Sequence, residues 1–120
     1  MEVLHTAIEI ADLDTSRRFY EDILGLERTR EFETGGTHNY YVGGSGTGEL
    51  QFKVVEEKAE PAGIHHIAIA TDDVEATIAK ISDEFDLPVT MEPRTIDRKS
   101  IRLAEVIDPE GYRVHLIEEL

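Results

Sequence analysis

Two histidines occupy matching places in two stretches of the sequence, His5 in residues 4–10 and His66 in residues 65–70. Gln51 and His115 occupy matching places in two later stretches. Imidazole nitrogens and an amide oxygen suit a borderline divalent ion such as zinc, nickel, iron or manganese. An ion held there could polarise a substrate carbonyl or acidify a bound water. We therefore predict one divalent metal ion, of unassigned identity, bound by His5, Gln51, His66 and His115.

These matching places indicate an internal repeat. The 61-residue spacing between His5 and His66 recurs, without a gap, between Asp12 and Asp73. A fixed spacing of this kind is the sequence signature of a duplicated supersecondary unit. Gln51 and His115 are 64 residues apart, so we expect the extra residues of the second copy to lie in a loop.

Each copy is predicted to contain a strand, a helix and three further strands. Alternating apolar residues predict strands, and apolar residues at helical spacing predict helices. Asp14 or Thr15 can cap the first helix and Gly25 can end it. In the first copy the predicted elements are a strand at 3–10, a helix at 12–24 and strands at 26–32, 38–42 and 50–55. In the second copy they are a strand at 64–71, a helix at 74–85 and strands at 89–91, 101–107 and 113–118.

Strand alternation predicts which side chains share a face with the candidate ligands. His66 shares its face with two alanines, whereas the neighbouring His65 is predicted to point away, in a structural role. His38 lies in a middle strand and is also expected to be structural. Glu49 shares the face of Gln51 and could replace it as a ligand.

Glu9 shares a face with His5. It could support that histidine through a hydrogen bond or simply be solvated, and the sequence leaves both possibilities open.

Composition excludes several kinds of site and partner. The chain has 120 residues and no cysteine, so disulfides and thiolate metal sites are excluded. A formal net charge of −14 repels nucleic acid and anionic membranes. No basic and apolar leader and no membrane-spanning apolar run can be recognised, so we expect a cytoplasmic protein.

The acidic charge has two interpretations. It is typical of an ordinary acidic protein, and also of a protein from a high-salt cytoplasm, where salt screens the self-repulsion. The sequence contains few lysines, at 53, 58, 80 and 99. We favour the salt-adapted interpretation.

Three segments together carry a family resemblance: LHTA at 4–7 leading to FYEDILGL at 19–26, GIHHIAI at 63–69, and DPEGY at 108–112. They resemble the vicinal oxygen chelate superfamily, which includes type-I glyoxalases, methylmalonyl-CoA epimerases, extradiol dioxygenases and antibiotic-sequestering resistance proteins. The resemblance covers essentially the whole chain. It implies an α+β fold in which two tandem βαβββ modules form an open half-barrel, often completed in a homodimer. We expect one glyoxalase-like domain over residues 1–120, with modules at 1–57 and 64–120 and a linker at 58–63.

The resemblance also assigns roles to the candidate residues. His5 and His66 match the family's histidine ligands, and Gln51 matches a position that holds Glu or Gln. His115 matches a position where glyoxalases and epimerases usually carry Glu, which is thought to act as ligand and as base. An imidazole can bind the metal there, but it can act as a base only when it is released, because a coordinated nitrogen has no free lone pair. Gln51 and His115 are therefore the candidate catalytic residues.

Three functions follow from this pattern. The first is a metal-dependent, glyoxalase-like lyase or isomerase that acts on a small oxygen-chelating substrate, similar to a hemithioacetal, through an enediolate. The second is an extradiol-type dioxygenase with His5, His66 and Glu49 as its iron ligands. The third is a small-ligand-binding module without metal, which the matching histidines disfavour. We favour the lyase or isomerase, described as lactoylglutathione-lyase-like.

The salt-adapted interpretation predicts that the free energy of unfolding rises between low and molar salt, because screening relieves the repulsion among the acidic side chains. Chemical unfolding at several concentrations of a single salt measures this dependence. A flat response would remove the salt-adapted interpretation.

Overall fold

The computed structural model describes all 120 residues, which form two compact units, Met1–Ala59 and Glu60–Leu120. Each unit contains a four-stranded mixed sheet and one helical segment. The expected α+β fold with two tandem βαβββ modules is confirmed. The treatment of residues 1–120 as one domain with a linker at 58–63 stays a prediction.

The first unit runs strand, helix, three strands. Its elements are β1 (His5–Ile10), α1 (Leu13–Arg17), β2 (Glu27–Thr34), β3 (Thr37–Gly43) and β4 (Glu49–Val54). A π-helical segment, Arg18–Ile23, directly continues α1. The sheet has the order β1-β4-β3-β2, with β1 parallel to β4 and antiparallel pairing elsewhere.

The second unit repeats this topology. Its elements are β5 (Ile67–Ala70), α2 (Val74–Glu84), β6 (Val89–Ile96), β7 (Ile101–Ile107) and β8 (Arg113–Glu119). A short 3₁₀ turn, Asp97–Lys99, connects β6 to β7. The sheet has the order β5-β8-β7-β6, again with the first and last strands of the unit parallel.

Aromatic side chains fill the core of the first unit. Phe19, Tyr20 and Ile23 are buried by the helical segment, as their spacing predicts. The Tyr20 ring lies 5.2 Å from the Phe52 ring, measured between centroids, and Phe52 stacks on Tyr40 at 6.4 Å. The helical segment therefore covers the face of the sheet opposite to the one that carries His5 and Gln51.

The N-cap of the first helix lies earlier in the chain than predicted. Asp12, and not Asp14 or Thr15, is its N-cap: the Asp12 carboxylate accepts hydrogen bonds from the Thr15 backbone N–H at 3.1 Å and from the Thr15 hydroxyl at 2.8 Å. Thr15 therefore donates to the capping residue and does not cap the helix itself. The sequence alone does not distinguish these two roles for a threonine near the start of a helix. The predicted end at Gly25 is confirmed, since this glycine adopts a φ of 78°.

The core of the second unit is aliphatic. Val74 and Ile81 of α2 are buried, as are Val114 and Leu116 of β8. Asp73 caps α2 by accepting a hydrogen bond from the Ala76 N–H at 3.0 Å. Neither α-helix has the length and apolar character that crossing a membrane requires.

Two predicted strands of the second unit have the wrong extent. β5 begins at Ile67, so residues 64–66 precede the strand and the predicted alternation does not reach His65. β6 extends to Ile96, well beyond the predicted 89–91, and its pairing with β7 contains two register shifts. These irregularities and Pro93 obscure the strand pattern, and an edge strand tolerates both.

Tyr40 makes a pH-dependent contribution to the stability of the first unit. Its hydroxyl donates to the Glu21 carboxylate, and burial together with this hydrogen bond raises the pKa of Tyr40 to about 12. Because an unfolded tyrosine has a pKa of about 10, the stabilisation is complete below that pH and is lost as the pH rises towards 12. We expect ultraviolet titration of Tyr40→Phe to lack one late phenolate step of the parent. Identical titration curves for the two proteins would contradict this assignment.

Candidate functional site

Strand pairing places the candidate residues of the second unit beside one another. His115 lies in β8, where its parallel neighbour is Ala68 and its antiparallel neighbour is Glu105. His66 lies immediately before β5, two residues from Ala68. Its ring stacks on the His115 ring, with centroids 3.8 Å apart and planes inclined by 3°.

A carboxylate holds His115 from the other side. The Oε2 atom of Glu105 lies 2.7 Å from Nε2 of His115, and Oε1 accepts a hydrogen bond from the Thr90 hydroxyl at 2.8 Å. Glu105 is only 9% exposed. Burial alone would raise the pKa of Glu105, but the hydrogen bonds from Thr90 and His115 outweigh it and hold the pKa below its usual range. Glu105 is therefore an ionised, hydrogen-bonded carboxylate.

His65 joins this cluster, contrary to the prediction that it points away. Its Nδ1 atom lies 2.8 Å from Nδ1 of His66, and its ring is 6.5 Å from that of His115. The reason is the late start of β5, because residues before the strand are not bound to its alternation.

The donor chemistry of this cluster fits a borderline divalent ion. Burial lowers the pKa of His66, and the neighbouring His115 and His65 lower it further. The lowered pKa favours the neutral imidazole, the form that binds metals.

The ring geometry sets a condition on metal binding. The lone pair of an imidazole lies in the plane of its ring, so one ion cannot lie in both planes of the parallel His66–His115 stack. Binding by both residues therefore requires one ring to rotate out of the stack.

The first unit presents its candidates around Tyr41. The ring of His5, which is exposed at the start of β1, meets Tyr41 edge to face with centroids 5.5 Å apart. Gln51 is the neighbour of both Ala7 and Tyr41 in the sheet and is only 6% exposed. Its Nε2 atom donates to Oδ1 of Asn39 at 2.9 Å. Oε1 is the atom of this amide that can bind a cation.

Glu49, the alternative to Gln51, is engaged elsewhere. Its carboxylate accepts a hydrogen bond from the Thr29 hydroxyl and pairs with Arg30 at 3.3 Å. Glu49 is also the register neighbour of His5. Glu49 thus lies beside His5 in the sheet, but metal binding would displace the partners of its carboxylate, Thr29 and Arg30.

The structure brings His66 and His115 into contact and groups His5 and Gln51 around Tyr41. The roles of these four residues as ligands stay predictions. His38 contacts Glu31, with Nε2 and Oε2 2.5 Å apart, in accordance with a structural role. Glu9 lies opposite Lys53 in the parallel pair of β1 and β4.

Sequence reasoning missed Glu105. The available signal was a single carboxylate inside the apolar run Leu103-Ala104-Glu105-Val106, followed by a turn that folds β8 back onto β7. A buried acid in such a strand needs a partner, and the hairpin supplies His115.

A separate group of three acids, Asp73, Glu75 and Glu118, also has ligand atoms close together. Each already has a structural role. Asp73 caps α2, Glu118 accepts a hydrogen bond from the Val74 N–H at 2.9 Å, and Glu75 forms an ion pair with Arg102. This group is explained by the start of the helix and by its attachment to the sheet.

Comparison with known proteins decides the family. Residues 2–116 match the family model of the Glyoxalase/Bleomycin resistance protein/Dioxygenase superfamily. The chain belongs to this superfamily. It is 32% identical to a lactoylglutathione lyase of Haemophilus influenzae, over 98% of this chain and 93% of that protein. The expectation of a lactoylglutathione-lyase-like enzyme is confirmed by relatives of this kind.

Solved glyoxalase structures show the same fold. The trypanothione-dependent glyoxalase I of Leishmania major is 29% identical with a TM-score of 0.79, covering 99% of this chain and 87% of that one. Glyoxalase I from Zea mays is 25% identical with a TM-score of 0.83, covering 98% of this chain and 44% of that one. The superfamily assignment therefore has support from sequence and from structure.

The hydrogen bond between Gln51 and Asn39 can be tested by substitution of Asn39. In Asn39→Ala the Gln51 amide and the Lys53 ammonium lose their shared acceptor, Oδ1. Leaving a buried donor unsatisfied costs about 2 kcal/mol, so we expect the urea midpoint to fall accordingly. Both Asn39→Ala and Asn39→Asp lose the hydrogen bonds that Nδ2 donates to the Thr34 hydroxyl and the Thr37 carbonyl. Asn39→Asp keeps an acceptor oxygen and should therefore lose less. Equal losses in the two variants would show that the acceptor for Gln51 and Lys53 is not what stabilises this region.

Proposed function

We propose that this protein is a divalent-metal-dependent, glyoxalase-like lyase or isomerase that acts on a small substrate with two adjacent oxygens, such as a hemithioacetal. Its proposed ligands are His5 and Gln51 of the first unit and His66 and His115 of the second. When bound, the ion would polarise the substrate oxygens and stabilise the negative charge that develops on them.

The observation that carries the proposal is the equivalence of the two units. A histidine lies at the start of the first strand in the first unit and immediately before it in the second. In both units the alanine two residues after this histidine pairs in parallel with a polar residue of the last strand: Ala7 with Gln51, and Ala68 with His115. Duplicated placement of ligand-type side chains supports these four residues as the ligands. Similarity to lactoylglutathione lyases over nearly the whole chain supports the reaction class.

His115 determines how this chain's own residues would move a proton. The reaction class transfers a proton between adjacent carbons, which requires a base within hydrogen-bond reach of both. In the proposal, His115 is that base during the part of the cycle in which its nitrogen is not coordinated. Its contact with Glu105 supports this role, because a carboxylate stabilises the imidazolium that forms when the ring accepts a proton.

Glu49 provides the competing assignment. A set of two histidines and one carboxylate is typical of non-haem iron oxygenases, and the register pairing of Glu49 with His5 favours its inclusion. The ion pair with Arg30 disfavours it, because coordination would take the carboxylate away from the guanidinium. We therefore retain Gln51 as the proposed ligand and the dioxygenase as the second candidate.

The ligand set predicts the metal content of substituted proteins. His5→Ala and His66→Ala should each weaken Zn²⁺ or Ni²⁺ binding strongly and leave the fold intact, because each removes one ligand. Gln51→Ala should also lose metal, whereas Glu49→Ala, a matched change two residues away in β4, should retain it. Elemental analysis after gel filtration measures the content, and circular dichroism monitors the fold.

Three outcomes would contradict this assignment. Loss of metal in Glu49→Ala and not in Gln51→Ala would move the ligand to Glu49 and favour the dioxygenase. Unfolding of either histidine variant with unchanged metal content would show that the face assignment is wrong. Absence of metal in the parent, even after reconstitution, would overturn both enzymatic proposals and favour a ligand-binding module.

The base role of His115 has its own test. Assays with methylglyoxal and several thiols measure the isomerase activity of the parent, His115→Ala and His115→Glu. We expect the alanine variant to lose about 10²–10⁴-fold in kcat, which is the usual contribution of a general base. The glutamate variant should retain activity, because a carboxylate can perform both functions.

A homodimer and a cytoplasmic location belong to the same proposal and rest on the resemblance and on the sequence. Sedimentation equilibrium of the parent tests the first of these. A monomer that binds metal at full stoichiometry would show that one chain suffices for the site.

A further inference from the structure

We propose that Glu105 is a positioning residue for His115: it holds the imidazole in the Nε2–H tautomer, so that Nδ1 is the nitrogen with the available lone pair. The inference deepens the proposed function, on which its significance for catalysis rests. Its structural basis is the Thr90–Glu105–His115 chain of hydrogen bonds.

The donors and acceptors of this chain leave one arrangement. An ionised carboxylate has no proton to donate. Oε1 of Glu105 accepts from the Thr90 hydroxyl at 2.8 Å, and Oε2 lies 2.7 Å from Nε2 of His115. Nε2 must therefore carry the proton that the second contact needs. In the neutral ring, the lone pair is then on Nδ1.

The surroundings keep Glu105 in place. It lies in β7 directly opposite His115, within a sheet that fixes the separation of the two backbones. Its neighbours in sequence, Ala104 and Val106, are buried. Thr90 lies at the register shift between Val89 and Met91 of β6, and this irregularity accompanies the contact of its hydroxyl with Glu105. Fold geometry therefore defines all three members of the chain.

The equivalent contact is missing from the first unit. There, Tyr41 is the neighbour of Gln51, as Glu105 is of His115. Gln51 instead donates through its amide to Asn39. Glu105 is thus specific to the half of the molecule in which a histidine occupies the last-strand position, which is where a tautomer has to be chosen.

The Glu105 contact determines which nitrogen of His115 is available to a metal or a proton. A carboxylate can use either oxygen for a metal or a proton, whereas an imidazole offers only the nitrogen that is not protonated. Glu105 selects that nitrogen, as carboxylates commonly do for histidine ligands. A side chain that does not touch the substrate would therefore control what His115 can do.

Nitrogen NMR of the metal-free protein tests the tautomer directly. Long-range ¹H–¹⁵N spectra distinguish the two neutral forms, and a His115→Ala spectrum assigns the signals. We expect His115 of the parent to be the Nε2–H tautomer at a pH where the ring is neutral. Glu105→Ala should give a mixture of tautomers, and Glu105→Gln, whose amide oxygen can still accept a hydrogen bond, should restore the parent form.

Binding of Zn²⁺ alone, measured in competition with a chromophoric chelator, tests the consequence. Glu105→Ala should weaken affinity by about 10–100-fold, the usual effect of removing a carboxylate behind a histidine ligand. Glu92→Ala, which removes one negative charge from β6 of the same unit, is the matched control and should bind like the parent. Amide spectra of each variant verify that the fold is retained, and Thr90→Val provides a milder perturbation if Glu105→Ala does not fold.

The two measurements separate this inference from the proposed function. A parent His115 protonated on Nδ1, or a tautomer that is the same in Glu105→Ala, would overturn the positioning role. In a parent that binds Zn²⁺, equal Zn²⁺ affinities in Glu105→Ala and Glu92→Ala would overturn it as well. If Glu105→Ala is unfolded, the same tautomer in Thr90→Val and the parent together with equal Zn²⁺ affinities would overturn it. The expected tautomers in a parent without Zn²⁺ binding would support the positioning role and overturn the metal-dependent function.

Discussion

Parallel pairing between the first and last strands of each unit is the constraint on which the candidate site depends. A parallel pair places register neighbours on the same face of the sheet, and a helical crossover must cover the other face. The apolar alternation of β1, β4 and β8 therefore fixes the opposite face as the one that carries polar residues. His5, Gln51 and His115 lie there because the core takes the alternate positions. His66 precedes β5 and stacks on His115.

The two copies keep this frame but use different polar supports. In the first unit an amide network centred on Asn39 holds Gln51, and Tyr41 packs against His5. In the second unit a buried carboxylate holds His115. An amide needs no choice of protonation state, whereas a histidine does, and an ionised acceptor makes that choice. The two copies thus differ both in the polar residue of the last strand and in the side chain that holds it.

The acidic side chains fall into two groups, those that are solvated and those that accept a hydrogen bond from a defined donor. Most of the acidic side chains are solvated, but Glu105, Glu21 and Asp73 each hold a defined donor: a histidine, a tyrosine hydroxyl and a helix N–H group. Hydrogen bonds to a charged acceptor are stronger than neutral ones. Salt should therefore affect the surface repulsion more than it affects the partly buried contacts of Glu105 and Glu21.

The sequence by itself determined the duplicated βαβββ order, the superfamily and the faces of β1, β4 and β8, because strand alternation and a constant spacing are local properties of the chain. The cap at Asp12, the late start of β5 and the length of β6 required the structure, since neighbouring polar residues compete for a cap and bulges break the alternation. Only tertiary structure joined Glu105 to His115 and brought His65 to His66. Those contacts depend on strand register and on a loop conformation, and neither is written in the spacing of the residues concerned.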